Sequence, residues 1–283
     1  MGGAESGMNS FISTVQTQKE QLQNGYYRSG SGPKKILILG SCRTLQLLNY
    51  LVIWNLRSGN QLTIYRIDPT DWHWDESGKT VDFEARIKAC EKDPRILGVL
   101  QSAEIYVHEY YAWYGMFNSS KEWAKNIYQF GLNPKIDVCL PNWHDRFLLF
   151  NDQVQFDQAL RDIIHASGMT PEISKQMVDR GLAALEKFYN ICTLSSFPEM
   201  ADHFKEWWTK KRFFWTGNHV SRHFTLYLFR RLNEKYLLLP FDDAYWQSID
   251  SLDIFARPCT AVTQLDVDGY GLSWSDPIEP LKV

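Results

Sequence analysis

The sequence has few cysteines, no long apolar run and no excess of positive charge, and each absence excludes a class of protein. The five cysteines in 283 residues are scattered and show none of the close paired spacings of a zinc site. We therefore expect reduced thiols in a cytoplasmic compartment. No segment approaches the roughly 18 to 20 consecutive apolar residues that a membrane span requires. A formal net charge of -3 makes nucleic acid a poor candidate as a partner.

Hydrophobic residues make up 44% of the chain, which is enough to bury a full core. Residues 1–33 are polar and rich in Gly, Ser and Gln. We expect them to form a flexible lead-in. The fold is expected to begin at Lys34 and to form a single α/β domain over residues 34–283.

Short apolar runs alternate with helix-like segments over the first half of this domain. Segments typical of strands buried on both faces are "KKILILG", "QLTIYRID" (61–68), "AEIYVHEYY" (103–111) and "KIDVCLPNW" (135–143). This alternation predicts a parallel sheet with helices on both faces, which is a three-layer α/β fold. In such sheets, sites form at the carboxyl ends of the strands.

The pattern changes in the second half of the chain. From about 151 to 208 it is helical throughout, and it predicts an inserted helical layer. The segment "KKRFFWTG" is then expected to form a strand. After it, "NHVSRHFTLYLFRRLNEKY" is expected to form a helix with Asn218 as its N-cap.

A thiol lies where the first apolar run gives way to a helix, in "ILILGSCRTLQLL". If Ser41 caps this helix, Cys42 lies in the first turn, where unpaired N–H groups and the helix dipole favour an anion. That position and the neighbouring Arg43 lower the pKa of a thiol, so Cys42 is a candidate nucleophile. The same N–H groups could instead hold an oxyanion or a phosphate. Selection of a small residue for close packing is the third interpretation.

A second junction, "WTGNHVSRH", places a histidine after another strand-like run. We expect His219 in the first turn of the following helix, where the helix dipole would keep its imidazole neutral and usable as a general base. A thiol and an imidazole at the strand ends of one sheet would form the pair that nucleophilic catalysis needs. His223 is the alternative base, but we favour a packed or surface role for it.

These two motifs together resemble the WcbI family of polysaccharide-biosynthesis acetyltransferases. The resemblance covers most of residues 34–235, and its specific part is "ILILGSCRTLQLL" with "FPEMADHFKEWWTKKRFFWTGNHVSRHFTLYLFRRL". The resemblance implies a fold related to the SGNH hydrolases, in which a nucleophile follows the first strand and a histidine lies late in the chain. It also implies that coenzyme A, as acetyl-coenzyme A, donates an acetyl group to a sugar hydroxyl.

Four residues match the family's motifs residue by residue: Gly40, Ser41 and Cys42 in the turn, and His219 late in the chain. Two positions differ, because Val220 replaces the usual proline and Thr216 replaces the aspartate of SGNH hydrolases. The identity of the third catalytic residue is therefore left open, or another strand end supplies it. The candidates are Asp68, His108 as an oxyanion donor, and Glu109 as an orienting carboxylate. Asp68 could also simply open a turn, and Glu109 could pair with a lysine.

The segment "HFKEWWTKKRFFW" mixes basic and aromatic residues that could hold the phosphates and adenine of coenzyme A. A solvated helix end beside buried aromatics is the alternative. The residues we assign to cofactor binding are Gly40, Ser41, Arg43, Lys211, Arg212 and Asn218. We assign no metal, because the acidic and histidine residues of "DWHWDE" (71–76) lack an evident fourth ligand.

The sequence thus predicts an acyltransferase that takes a small-molecule thioester and a sugar-type acceptor. An SGNH-like esterase or thioesterase needs the same nucleophile, base and oxyanion donors, so it remains an alternative. A third interpretation is a glycan-binding module without catalytic activity, in which tryptophans and tyrosines form a stacking platform.

Overall fold

The computed structural model describes residues 20–23, 26–40, 42–67, 98, 101–109, 135–141, 148–216, 219–250, 252, 261–273 and 278–282. Contacts divide the chain into two compact units. The first unit comprises residues 1–139 and 233–249, and the second comprises residues 140–232 and 250–283. The prediction of one domain over residues 34–283 stays a prediction.

The first unit is built on a six-stranded sheet. Its strands are β1 (Glu20–Gln23), β2 (Tyr26–Ser29), β3 (Lys34–Leu39), β4 (Leu62–Ile67), β5 (Ile105–Glu109) and β6 (Ile136–Leu140). The strand order is β1-β2-β4-β3-β5-β6. Strand β3 pairs in parallel with both β4 and β5, whereas β2 is antiparallel to β4. The α/β class is therefore confirmed, and the three-layer, SGNH-like arrangement stays a prediction.

The eight described α-helices are α1 (Cys42–Arg57), α2 (Phe150–Phe156), α3 (Gln158–Ser167), α4 (Pro171–Leu194), α5 (Glu199–Trp207), α6 (Arg222–Leu232), α7 (Asp243–Asp250) and α8 (Gln264–Tyr270). Helices α2 to α5 occupy the segment for which a helical layer was predicted. Within the described residues, no helix is long and apolar enough to cross a membrane.

Strand β3 is central because its residues are apolar without interruption. Residues 36–39 are at most 1% exposed, as expected for a strand covered on both faces. Helix α1 buries Leu47, Leu48 and Leu51, which follow a helical spacing. A late segment completes this unit, since the Tyr245 hydroxyl donates to the Tyr50 carbonyl over 3.0 Å. The core of the first unit thus combines the sheet, α1 and α7.

Two strands precede Lys34, within the segment expected to be a flexible lead-in. Strand β2 pairs with β4 along its whole length, and β1 pairs with β2. Their residues are mostly polar, so the apolar-run criterion did not identify them. The dipeptide Asn24-Gly25 between them is the strongest short-range signal for a hairpin, and it could have done so.

The second unit has an aromatic core beneath the long helix α4. Phe188 of α4 contacts Phe204 at 5.0 Å between ring centroids, Phe224 at 5.6 Å and Phe214 at 6.1 Å. The contacts with Phe204 and Phe214 are edge-to-face, and such contacts stabilise a core beyond the area that they bury. Helix α4 begins at Pro171 because the Thr170 side chain caps it, accepting from the Ile173 N–H.

The helix predicted to begin after Asn218 begins instead at Arg222, so the prediction of Asn218 as its N-cap was wrong. Val220 pairs with Phe214 in a short antiparallel ladder, and the Ser221 N–H donates to the Phe213 carbonyl over 2.7 Å. The Ser221 carbonyl then accepts from the Thr225 N–H, which is the first bond of the helix. Serine is as good an N-cap residue as asparagine, and pairing of the β-branched Val220 decides between the two positions.

Candidate functional site

The candidate site lies where β3 passes into α1. Strand β3 ends at Leu39, Gly40 follows, and α1 begins at Cys42, so Cys42 and Arg43 are in the first helical turn as predicted. In the strand order, β4 lies on one side of β3 and β5 on the other. Such a reversal is a topological switch point, and ligands of open α/β sheets bind at its carboxyl edge.

Gly40 has no room for a side chain. A Cβ atom at this position would lie 2.2 Å from Thr44 Cγ2 and 3.0 Å from Glu109 Cδ. The strand therefore approaches both the first turn of α1 and the end of β5 more closely than any other residue would allow. This close packing accounts for Gly40, and its assignment to cofactor binding stays a prediction.

Arg66 lies directly beneath this turn and was missed in the sequence analysis. Its side chain is 2% exposed, and its Nε donates to Thr44 Oγ1 and its Nη2 to the Gly40 carbonyl, each over 3.2 Å. Its guanidinium carbon also lies 5.7 Å from the centroid of the Tyr27 ring. An arginine inside "QLTIYRID", a strand expected to be buried, was the available signal, because a buried charge needs dedicated partners.

Glu109 is buried on the same side of the sheet as the turn. It is 3% exposed, and its carboxyl carbon lies against Gly40. The preceding residue, His108, points to the opposite face, because successive strand residues alternate. Glu109 and His108, the two candidates at the end of this strand, therefore lie on opposite faces of the sheet. The role of Glu109 as an orienting carboxylate stays a prediction.

His108 is held by an acidic partner on the neighbouring strand. Its Nε2 lies 3.1 Å from Asp137 Oδ1 of β6, and its ring stacks on Tyr106 at 4.9 Å. The other ring nitrogen, Nδ1, is buried and has no hydrogen-bond partner within the described part of the chain. When Nε2 carries the proton toward Asp137, Nδ1 is an acceptor, and it donates only in the charged imidazolium. The predicted oxyanion donor therefore requires the imidazolium form.

The structure places His219 in a different setting from the predicted one. His219 and Val220 form β8, which pairs with β7 (Phe214–Thr216) in a separate two-stranded sheet. The prediction that the thiol and this imidazole lie at strand ends of one sheet was wrong. Cys42 belongs to the first unit and His219 to the second. The dipole argument for a neutral imidazole also fails, because α6 begins three residues later.

The basic and aromatic segment predicted to bind coenzyme A divides into an exposed and a buried part. Lys211 is exposed, with its Nζ 4.6 Å from the centroid of the Trp207 ring. Arg212 is 7% exposed, and its Nε donates to the Phe214 carbonyl over 2.8 Å. Burial raises the pKa of the nearby Asp266, and the charge of Arg212 opposes that shift. Arg212 thus supports the interior, whereas Lys211 remains accessible for a phosphate.

Three predicted site residues lie outside the described residues: Ser41, Asp68 and Asn218. The same is true of the "DWHWDE" segment. Among the residues that the structure describes, no group of three or more His, Cys, Asp or Glu side chains could hold a metal ion.

No family model matches the sequence, and no curated protein is similar to it in sequence. The fold, however, is similar to that of WcbI. The match covers 86% of this chain and 81% of the other, with a TM-score of 0.51 and 12% identity. WcbI is described as a novel polysaccharide biosynthesis enzyme, and the structure is of the native protein without a disulfide bond between coenzyme A and one of its cysteines. At this identity, the similarity to WcbI is one of fold.

Proposed function

We propose that the protein is an acyltransferase that moves an acetyl or related acyl group from coenzyme A to a hydroxyl of a sugar or polysaccharide precursor. The observation that carries this proposal is the start of α1 at Cys42, at the carboxyl edge of three parallel strands. The fold shared with WcbI supports it, because the WcbI structure is that of the native protein without a disulfide bond between coenzyme A and a cysteine. The SGNH-like fold and the sugar acceptor come from the sequence resemblance.

In the first half-reaction, the Cys42 thiolate attacks the carbonyl carbon of acetyl-coenzyme A. A new C–S bond forms to Cys42 while the C–S bond to coenzyme A breaks. Coenzyme A leaves as a thiolate and takes up the proton that the general base removed from Cys42. The N–H groups of the first turn of α1 stabilise the negative charge on the carbonyl oxygen of the tetrahedral intermediate.

In the second half-reaction, the acceptor hydroxyl attacks the acetyl-cysteine. The base removes the hydroxyl proton, an ester bond forms, and the bond to Cys42 breaks. Cys42 leaves as a thiolate and the base keeps the hydroxyl proton, so the next cycle begins from this pair and the base passes the proton to the departing coenzyme A thiolate. If water replaces the acceptor, the same steps give hydrolysis, so the presence of a sugar product separates the two activities.

Binding of coenzyme A is the first test of this proposal. Isothermal titration of the full chain with coenzyme A is expected to give a saturable signal below millimolar concentration. Lys211→Gln is expected to weaken binding severalfold if this exposed lysine contacts a phosphate, whereas Lys175→Gln is the matched control because Lys175 pairs with Asp179 on α4. Absence of binding at millimolar coenzyme A would remove the main support for acyl transfer.

Histidine variants separate the base from the oxyanion donor. If His219 is the general base, as the family resemblance implies, His219→Gln is expected to slow acetylation of Cys42 by acetyl-coenzyme A about a hundredfold to ten-thousandfold, the range for loss of a general base. His108→Gln and Asp137→Asn are expected to have smaller and similar effects, because Asp137 orients His108. Intact-mass spectrometry at timed intervals measures these rates. If His219→Gln acetylates Cys42 at the wild-type rate and His108→Gln does so far more slowly, His108 and not His219 is the general base.

A further inference from the structure

Arg66 is a buried cation that none of the proposed chemistry uses. It is the penultimate residue of β4, on the strand next to the one that leads into Cys42. Removing a guanidinium from water is costly unless its donors are satisfied. The acceptors of the Arg66 hydrogen bonds therefore indicate which part of the structure this side chain holds in place.

Two of these hydrogen bonds lie on either side of Cys42. The Gly40 carbonyl precedes it by two residues and the Thr44 hydroxyl follows it by two, and Arg66 donates to both over 3.2 Å. Two peptide units span at most about 7 Å, so the Cα atoms of Gly40 and Thr44 are each within that distance of the Cys42 Cα. Because the guanidinium is planar and rigid, one side chain fixes these two points relative to each other.

The guanidinium itself has little freedom to move. Tyr27 of β2 lies beside it at 5.7 Å, within the range of a cation–π contact. Thr44 is fully buried, and its side chain also fills the space that a Cβ at Gly40 would need. Arg66, Thr44 and Gly40 form one packed unit, which we call the turn clamp.

We propose that Arg66 is a positioning residue: by holding Gly40 and Thr44 it fixes the start of α1, where Cys42 lies, for acyl transfer from the thioester. Its catalytic consequence rests on the proposed function, but the clamp itself does not. A misplacement of about 1 Å at a reacting group costs on the order of a hundredfold in rate, so a small relaxation of this turn is sufficient to matter.

A matched pair of threonine variants tests the clamp. Thr44→Val removes the hydroxyl that accepts from Arg66 and keeps the shape. Thr63→Val makes the same change at the other end of the sheet, where the buried Thr63 hydroxyl donates to the Gly32 carbonyl over 2.6 Å. Arg66→Lys keeps the charge but loses the rigid fork. Four quantities are measured in the full-length protein: thermal midpoint, hydrogen exchange of residues 36–46, affinity for coenzyme A, and the rate of Cys42 acetylation.

Thr44→Val and Arg66→Lys are each expected to raise amide exchange in residues 36–46 at least about tenfold and to slow acetylation at least about tenfold. Affinity for coenzyme A should change less than about twofold. Thr63→Val should lower the thermal midpoint by a similar amount yet leave acetylation within about twofold. In the double variant Arg66→Lys/Thr44→Val, acetylation should be little slower than in the more impaired single variant, because both substitutions remove the same interaction.

Two results would overturn the proposal. The first is unchanged exchange in residues 36–46 in both Thr44→Val and Arg66→Lys. The second is a loss of acetylation in Thr63→Val equal to that in Thr44→Val, which would show a general effect of stability. If the wild-type protein forms no acetyl adduct at all, the proposed function fails, and the exchange measurements still decide whether the clamp exists.

Discussion

Cys42→Ala is expected to slow acyl transfer on the order of a thousandfold or more, with the affinity for coenzyme A nearly unchanged. The physical reason is that alanine keeps the helix start and its N–H groups but removes the atom that forms the covalent bond. Wild-type protein incubated with acetyl-coenzyme A, without an acceptor, should gain the mass of one acetyl group. Cys42→Ala should gain none, and peptide mapping should place the wild-type adduct on Cys42.

Cys42→Ser distinguishes covalent from direct transfer. If the general base activates the acceptor hydroxyl for direct attack on the bound thioester, Cys42→Ser should stay within about tenfold of the wild-type rate, because the oxyanion donors remain. Cys192→Ser is the matched control, since this thiol is fully buried in the second unit and burial raises its pKa. An active wild-type enzyme that forms no adduct on Cys42 would refute the covalent mechanism.

The sequence predicted the part of the fold whose signal is local. Residues 36–39 of β3 are apolar without interruption, and α1 follows at once with apolar residues at helical spacing. Both patterns arise because buried residues recur at a fixed spacing along a strand or a helix, so they can be identified without a tertiary structure. The glycine between them was recognised as a junction, but the Thr44 and Glu109 side chains that require it could not be inferred, because they come from different elements.

Predictions that depended on pairing over distance were less successful. The helix expected after Asn218 starts at Arg222, because Val220 pairs with Phe214, and such pairing leaves no local signature. The prediction that Cys42 and His219 lie at strand ends of one sheet was wrong for the same reason, since β7 and β8 pair with each other. The candidate residues were identified by their chemistry and their place after strand-like runs, and their assignment to one site required information that periodicity does not carry.

Charged residues within the strands show a third limit. Arg66 lies inside "QLTIYRID" and Asp137 inside "KIDVCLPNW", and the apolar content that identifies these runs as strands carries no information about a single charge within them. The structure gives each a partner: Arg66 contacts Thr44 and the Gly40 carbonyl, and Asp137 contacts His108. A charged residue within a strand expected to be buried is therefore an informative signal, because it demands an explanation.

Gly40→Ala is expected to lower the stability of the first unit and to displace the turn that carries Cys42. The added Cβ would lie 2.2 Å from Thr44 Cγ2 and 2.9 Å from Thr44 Oγ1, and Arg66 holds that hydroxyl in place. The first turn of α1 must then move away from β3. We expect a loss of about 1–3 kcal/mol in the free energy of unfolding, as in other overpacked cores. Acetylation of Cys42 should slow at least about a hundredfold, because the turn that presents the thiol is displaced.

A second substitution shows whether Thr44 is the cause. Thr44→Ser removes the Cγ2 methyl group and keeps the hydroxyl for Arg66, so Gly40→Ala/Thr44→Ser should recover at least about tenfold of the lost acetylation rate and part of the lost stability. Gly98→Ala is the matched control, since a Cβ there would meet no atom of the described residues within 4 Å, and it should leave both quantities unchanged. Urea unfolding gives the stability and timed intact-mass spectra give the rate. Wild-type stability in Gly40→Ala, or no recovery with Thr44→Ser, would mean that the strand and helix are not packed as closely at Gly40 as the structure places them.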